Sequence, residues 1–249
     1  MVWRNNERTL TVKGIGNIDI RPDWVVIDIE VEAKDENYEK CVGEAADAVN
    51  ELAEALLAVG FEETALKTSN WGCEQVFKNI NVTKKGFREQ ETENKRVFDC
   101  YKTVHLLKLE YGLGEKELPV VIGAIANCES VPEFDIRFTI KDKAAAANKV
   151  LEVATKDALT KAKIITKAAG IGLRNQKTIS YNWSESQFFS ETSIRPRTSW
   201  NSKLIRSLAD GLNDEICDIA KSNYVVSYGA IAPEDIKLRD TITFVWEIE

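Results

Sequence analysis

The sequence has little of the chemistry that metal sites and catalytic triads need. It contains one histidine, His105, and five cysteines, none of them in a C-x-x-C pair. A single histidine cannot supply a two-histidine metal site, and a Ser–His–Asp triad would have to use that one residue. An odd number of scattered cysteines also argues against a disulfide framework. We therefore predict no catalytic residue, no metal site and no cofactor.

The histidine and the cysteines have simple structural interpretations. His105 falls in a predicted strand, on the same face as Leu107, Leu109 and Tyr111. We interpret it as a strand residue that is hydrogen-bonded to a neighbour. We interpret the cysteines as structural; the alternative is that some are targets of oxidants, which requires exposure and a lowered pKa. The cysteines are Cys41, Cys73, Cys100, Cys128 and Cys217.

Basic charge and long apolar runs are also scarce. The chain has 33 Lys and Arg against 40 Asp and Glu, a net charge of −7, so no nucleic-acid partner is expected. No apolar run is long enough to span a bilayer, and we predict no membrane span. The first residues lack a basic segment followed by an apolar one. We therefore expect a cytoplasmic protein, with export as the alternative if a signal peptide has been removed.

Glycines are few, and two of them sit close together near the start, in the stretch VKGIGNIDIRPDWVVIDIEVEAKD. A phosphate-binding loop needs a helix directly after its glycines. Here Val25, Ile27, Ile29 and Val31 alternate with other residues, which predicts a strand with one buried face. We interpret Gly14 and Gly16 as a bend or bulge between two strands and not as a nucleotide site.

The remaining pattern predicts an α+β fold. Its sheets are predominantly antiparallel, with helices packed on one face, in the order β-β-α-β-β-α-β-α-β-β plus an inserted helix. A helix ending near Gly60 carries a stripe that includes Tyr38, Val42 and Ala45. A second helix, from 142 to 169, has a stripe rich in alanine, which lets it lie close to a sheet. Polar residues predict a long mobile hairpin loop at 78–96 and another loop at 184–199.

Two stretches of the chain resemble each other. DIEVEAKDE, a helix and KTSNWGCE in the first correspond to DIRFTIKDK, a helix and KTISYNWSE in the second. Trp71 and Trp183 match, and we interpret them as shared core packing; the alternative is a surface that binds a ligand. We predict one domain, 1–249, with repeat units at about 23–111 and 132–249 and an insertion at about 185–228.

The chain resembles the SIMPL-domain family. The resemblance is carried by TLTVKGIGNIDIRPDWVVIDIEVEAKDENYEKC, by LLAVGFEETALKTSNW and by IAPEDIKLRDTITFVWEIE. The family has no established catalytic residues, so the resemblance implies none in this chain. The resemblance implies a link to oxidative-stress defence, as in bacterial members that are often exported, and a capacity to assemble, as in a periplasmic immunogenic member.

The helix predicted at 200–221 offers a candidate interaction surface, because its aliphatic residues share one stripe. These residues are Leu204, Leu208, Leu212, Ile216 and Ile219. The stripe covers either the chain's own sheet or another subunit. We predict a non-enzymatic protein that forms a homo-oligomer or binds a protein partner. The alternative is an enzyme or a small-ligand-binding protein with a pocket between the repeats.

Overall fold

The computed structural model describes residues 8–85, 90–130, 132–182, 188–195 and 232–249, without the side chains of 82–85 and 90–93. These residues form eight strands and three helices. They are β1 (Thr9–Ile20), β2 (Trp24–Asp35), α1 (Tyr38–Ala58), β3 (Leu66–Lys85), β4 (Gln90–Gly112), α2 (Leu118–Ala126), β5 (Glu133–Thr139), α3 (Lys143–Ala169), β6 (Leu173–Ser180), β7 (Phe189–Ile194) and β8 (Ile236–Ile248).

The α+β class and the order of the elements are confirmed, with one strand added. The predicted loop at 184–199 is wrong in part, because β7 lies within it. The sequence of β7, FSETSI, has little apolar alternation, so its pattern did not indicate a strand. Contacts with the segment before β8 hold it: Ser190 Oγ donates to the Glu234 carbonyl at 2.7 Å, and the Glu234 N–H donates to Thr192 Oγ1 at 3.0 Å.

The described residues divide between two compact units. The first is drawn from Met1–Trp24, Phe138–Thr192 and Ala232–Glu249, and the second from Val25–Arg137 and Ser193–Ile231. The repeat predicted from the sequence stays a prediction, since Trp183 lies outside the described residues.

The first unit is built on the close approach of α3 to a three-stranded sheet of order β1-β8-β6. Gly14 and Gly16 lie in the middle of β1, so the predicted position between two strands is wrong. A Cβ on Gly14 would stand 2.0 Å from the Ala154 carbonyl oxygen, and one on Gly16 would stand 2.2 Å from the Val150 oxygen. The glycines are there because the helix backbone occupies the space of a side chain.

The alanine-rich stripe of α3 is confirmed at its centre and displaced at its ends. Ala154, Ala158 and Ala162 are fully buried against β8, where Ile242, Phe244 and Trp246 share one face. The spacing of the sequence predicts Ala147 and Leu151 in the stripe, whereas Ala146 and Val150 are the buried residues towards the start of the helix. The stripe therefore runs one residue earlier there than the spacing indicated.

The five-stranded sheet has the order β3-β4-β2-β5-β7. The predicted buried face of β2 is confirmed, with Val25, Ile27, Ile29 and Val31 all at 2% exposure or less. The buried face of α1 contains Cys41, Ala45, Leu52 and Leu56, so Cys41 takes the central position that the pattern assigned to Val42.

The predicted mobile loop at 78–96 is wrong, because the two strands continue through most of it. β3 and β4 pair without interruption of the ladder from Leu66↔Leu109 to Lys85↔Gln90, apart from two register shifts. The sequence of this outer stretch is mostly polar, and its one short alternation, Ile80 and Val82 between polar residues, does not indicate strands of this length; the backbone pairing does not need such a pattern. We call the paired strands β3 and β4, from Leu66↔Leu109 to Lys85↔Gln90, the ribbon.

Candidate interaction site on the β3–β4 ribbon

The candidate surface predicted from the sequence lies outside the described residues. This applies to all of Leu204, Leu208, Leu212, Ile216 and Ile219, and to Cys217. Their role as an interaction surface stays a prediction. The described residues offer a different candidate, which the sequence analysis missed.

His105 has the structural role that was predicted for it. It lies in β4 opposite Trp71, and its Nε2 is 2.8 Å from the hydroxyl oxygen of Thr68. Partial burial lowers the pKa of His105, so the neutral ring is favoured at neutral pH.

Two of the described cysteines are buried and two are partly exposed. The Cys41 sulfur lies 3.2 Å from Thr103 Oγ1 and 3.4 Å from the Tyr101 carbonyl oxygen, beneath α1. Burial, with a smaller contribution from the charge of Glu51, raises the pKa of the Cys128 thiol to about 11. Cys41 is therefore a poor nucleophile because its sulfur is buried, and Cys128 because its thiol stays protonated at neutral pH. Cys73 and Cys100 lie on the ribbon.

Four aromatic side chains continue the helix-covered face of the sheet out along the ribbon. The ring centroid of Tyr38, the first residue of α1, is 5.5 Å from that of Tyr101 in β4. Tyr101 is 5.2 Å from Phe98, and Phe98 is 6.1 Å from Phe77 across the ladder. All three contacts are edge-to-face, the arrangement that aromatic quadrupoles favour. We call Tyr38, Phe77, Phe98 and Tyr101 the aromatic strip.

A bulge in β4 places these rings on one face. Val76 pairs with Cys100 and Phe77 with Phe98, so Asp99 is the extra residue. In a regular strand, Phe98 and Tyr101 are three residues apart and would point to opposite faces; the bulge absorbs one residue and brings both to the same face. Asp99 itself bonds the Lys78 ammonium at 2.8 Å. The sequence does not indicate this bulge, because neither Asp99 nor Lys78 interrupts a recognisable hydrophobic pattern.

The aromatic strip is exposed where α1 no longer covers the sheet. Tyr38 is 49% exposed, and Phe77 and Phe98 are each 40% exposed. The guanidinium carbon of Arg96 lies 4.5 Å from the centre of the Phe77 ring, a cation–π contact. Several large apolar rings in mutual contact at the surface are typical of an interaction site rather than of scattered surface residues.

Trp71 extends the apolar character of the same face of β3. The prediction that it belongs to core packing is wrong, because it is 47% exposed. It faces His105 across the ladder, beyond the cover of α1. Its partner in the predicted repeat, Trp183, lies outside the described residues.

The backbone of β3 is a second exposed feature of the ribbon. In the part of the chain that the structure describes, β3 pairs with β4 only and forms the edge of the five-stranded sheet. Every second residue of an edge strand directs its N–H and C=O groups away from the sheet. The ribbon therefore presents both apolar rings and outward-facing backbone groups, among which the Trp71 N–H is bonded by Asn70 Oδ1 at 2.9 Å.

The described surface depressions offer less chemistry. One of about 280 Å³ between α1 and α2 is lined mainly by small apolar side chains, with Glu51 at its rim. The Glu51 carboxylate already accepts the backbone N–H groups of Glu129 and Ser130. It therefore serves as a cap for the turn that follows α2.

The described residues contain neither a metal-binding group of side chains nor a membrane-spanning helix. No three His, Cys, Asp or Glu side chains within them are grouped as a metal ion would need. None of the helices in the described ranges combines the length and the apolar character needed to cross a bilayer.

Together, these features define a two-sheet α+β protein with exposed aromatic side chains on its ribbon. The chain belongs to the SIMPL family, described as a protein of unknown function (DUF541), whose model matches residues 10–246. No curated protein matches the chain. The resemblance stated from the sequence is therefore confirmed, and it extends over nearly the whole chain. Because the family has no assigned function, membership in it does not indicate what this protein does.

Proposed function

We propose that this protein is a non-enzymatic binding protein that self-associates through the aromatic strip of its ribbon. The observation that carries the proposal is a row of four contacting aromatic rings, three of which, Tyr38, Phe77 and Phe98, are exposed. Removing an aromatic side chain of this size from water contributes roughly 1.5–3 kcal/mol. Because Phe77 and Phe98 are each 40% exposed, association would recover the part of this free energy that belongs to their exposed surface.

The test is the mass of the purified chain by light scattering over a range of concentrations. We expect an oligomer whose dissociation constant rises roughly a hundredfold in the double variant Phe77→Ser, Phe98→Ser, because two rings leave the contact. The matched control is Ile164→Ser with Ile165→Ser, which removes two exposed apolar side chains from α3. A chain that is monomeric at every concentration, or a ribbon variant with unchanged mass, overturns the proposal.

A link to oxidative-stress defence and a cytoplasmic location belong to the same proposal and rest on the sequence alone. The first is tested by the survival of host cells under peroxide with and without the gene. If survival is equal, that link is wrong, and the association is judged by the mass measurement.

A further inference from the structure

We propose that two copies of this chain join through their β3 edges, antiparallel and two-fold about Val76, to form one continuous sheet. This inference rests on the proposed self-association and specifies its geometry. The partner is a second copy because the edge is complementary to itself in charge, as its register shows.

The β3 edge is less protected than the β1 and β6 edges, although the Trp71 N–H near its base is bonded by Asn70 Oδ1 at 2.9 Å. Along β1, the edge of the three-stranded sheet, the outward N–H of Ile15 is bonded by Asp157 Oδ2 of α3 at 2.8 Å. β6 is eight residues long and has two register shifts in its pairing with β8. β3 contains no proline, and its own extra residue, Ser69, lies at its base. From Asn70 outwards β3 has no extra residue of its own; the register shift at Val76/Phe77 comes from Asp99 in β4. An edge strand without a bulge of its own is the form that pairs with another strand.

Between Asn70 and Val82, the part of β3 that would pair, the two charged residues lie at equal distances from Val76 and have opposite signs. Glu74 precedes it by two residues and Lys78 follows it by two. In an antiparallel pair centred on Val76, Glu74 of each copy therefore stands directly opposite Lys78 of the other. Opposite charges in directly facing positions stabilise a strand pair, and like charges destabilise it. Lys78 already bonds Asp99 of its own chain, so the contact would form a small network with alternating sign.

The same register brings the aromatic strips of the two copies together. Residues directly opposite each other share a face, so Gln75 of one copy faces Phe77 of the other. The two Phe77 rings become diagonal neighbours, within reach of aromatic side chains. Backbone pairing, charge and apolar contact thus agree on one arrangement.

The charge test uses Glu74→Lys and Lys78→Glu as separate variants. Each places like charges opposite each other at two positions, and we expect association about tenfold weaker or worse. Mixed in equal amounts, the two variants restore opposite charges at both positions, so we expect the mixture to regain the wild-type mass. A mixture that associates no better than its components overturns this pairing.

A crosslink tests the register without changing any charge. In this arrangement Asn79 stands opposite Cys73 of the other copy, at a Cα separation of about 4.5–5.5 Å, within the range of about 4.4–6.8 Å for disulfides. We expect Asn79→Cys to form a covalent dimer on mild oxidation. Ile80→Cys, one residue further and on the opposite face, should not.

The outcomes separate this inference from the proposed function. If the wild-type chain associates and the Phe77/Phe98 variant does not, while charge reversal and Asn79→Cys have no effect, the aromatic contact stands and the strand pairing is wrong. If the wild-type chain is monomeric, both are wrong. Association through another protein's strand would give a monomer whose crosslinks form only with that protein.

Discussion

At the scale of single residues, the buried thiol of Cys41 in the second unit is surrounded by polar partners and not held ready for chemistry. The Cys41 thiol is surrounded by the Ala33 and Tyr101 carbonyl oxygens and the Thr103 hydroxyl. A buried polar group without such partners would cost about 1–3 kcal/mol. The structural interpretation of this cysteine, which sequence spacing proposed, therefore has a specific physical basis beneath α1.

His105 gives a prediction about pH at the same scale. Because burial lowers its pKa, we expect the single histidine to titrate below its ordinary value of 6.5, observed as the midpoint of its ring proton shifts by NMR. The unfolded chain binds the proton more tightly, so this residue's contribution to stability is present above pH 6.5 and is lost as the pH falls through the folded pKa. Thr68→Val removes the hydrogen bond between Thr68 and His105, so it separates the effect of that bond on the pKa from the effect of burial. A midpoint at or above 6.5 in the wild-type chain contradicts the prediction.

At the scale of secondary-structure elements, the packing of α3 on β1 depends on the absence of side chains. Ala154 and Ala158 lie over Gly16 and Gly14, and the atoms that a Cβ would meet include helix carbonyl oxygens. Backbone atoms of a long helix cannot move aside as a flexible side chain can. The Gly-Ile-Gly of the sequence is therefore a contact between strand and helix.

We expect Gly16→Ala to lower the free energy of unfolding by about 1–3 kcal/mol, because the added methyl group forces α3 away from the sheet. Chemical denaturation followed by circular dichroism measures the change. The matched control is Gly72→Ala, also within a strand, where nothing lies within 4 Å of an added Cβ. Equal stabilities of the two variants would show that the contact is looser than described.

How far the sequence predicts these elements depends on where their side chains point. β2 and β8 bury one face, so apolar residues alternate and the strands were predicted. The outer ribbon and β7 bury little and gave no such signal. The predicted stripes of the helices differ by one residue from the buried ones in places, as with Val42 and Cys41. Steps of three and four residues can be drawn through either of two neighbouring positions, so spacing alone does not choose between them. The aromatic strip depends on the Asp99 bulge, which only the pairing of β3 with β4 reveals.

At the scale of the whole molecule, two surfaces now compete for the role of subunit contact. The aromatic strip and the β3 edge are described by the structure, whereas the aliphatic stripe from Leu204 to Ile219 is known from sequence alone. The net charge of −7 opposes association of copies at long range, so a contact must supply specific apolar and paired groups. The aromatic strip and the aliphatic stripe are tested independently, since the variants that change them share no residue.

For the aliphatic stripe we predict burial, on the chain's own sheet or on another subunit. Each large aliphatic side chain that is buried contributes roughly 1.5–3 kcal/mol, so Leu208→Asp with Leu212→Asp should be costly. A lower melting temperature in a chain that is monomeric throughout indicates an intramolecular cover; a lower mass with the fold retained indicates an interface. Ser207→Asp with Asn213→Asp adds the same charge beside the stripe and should change neither quantity. If the leucine variant also keeps its mass and its melting temperature, the stripe is not buried, and the aromatic strip is left as the better candidate for the contact.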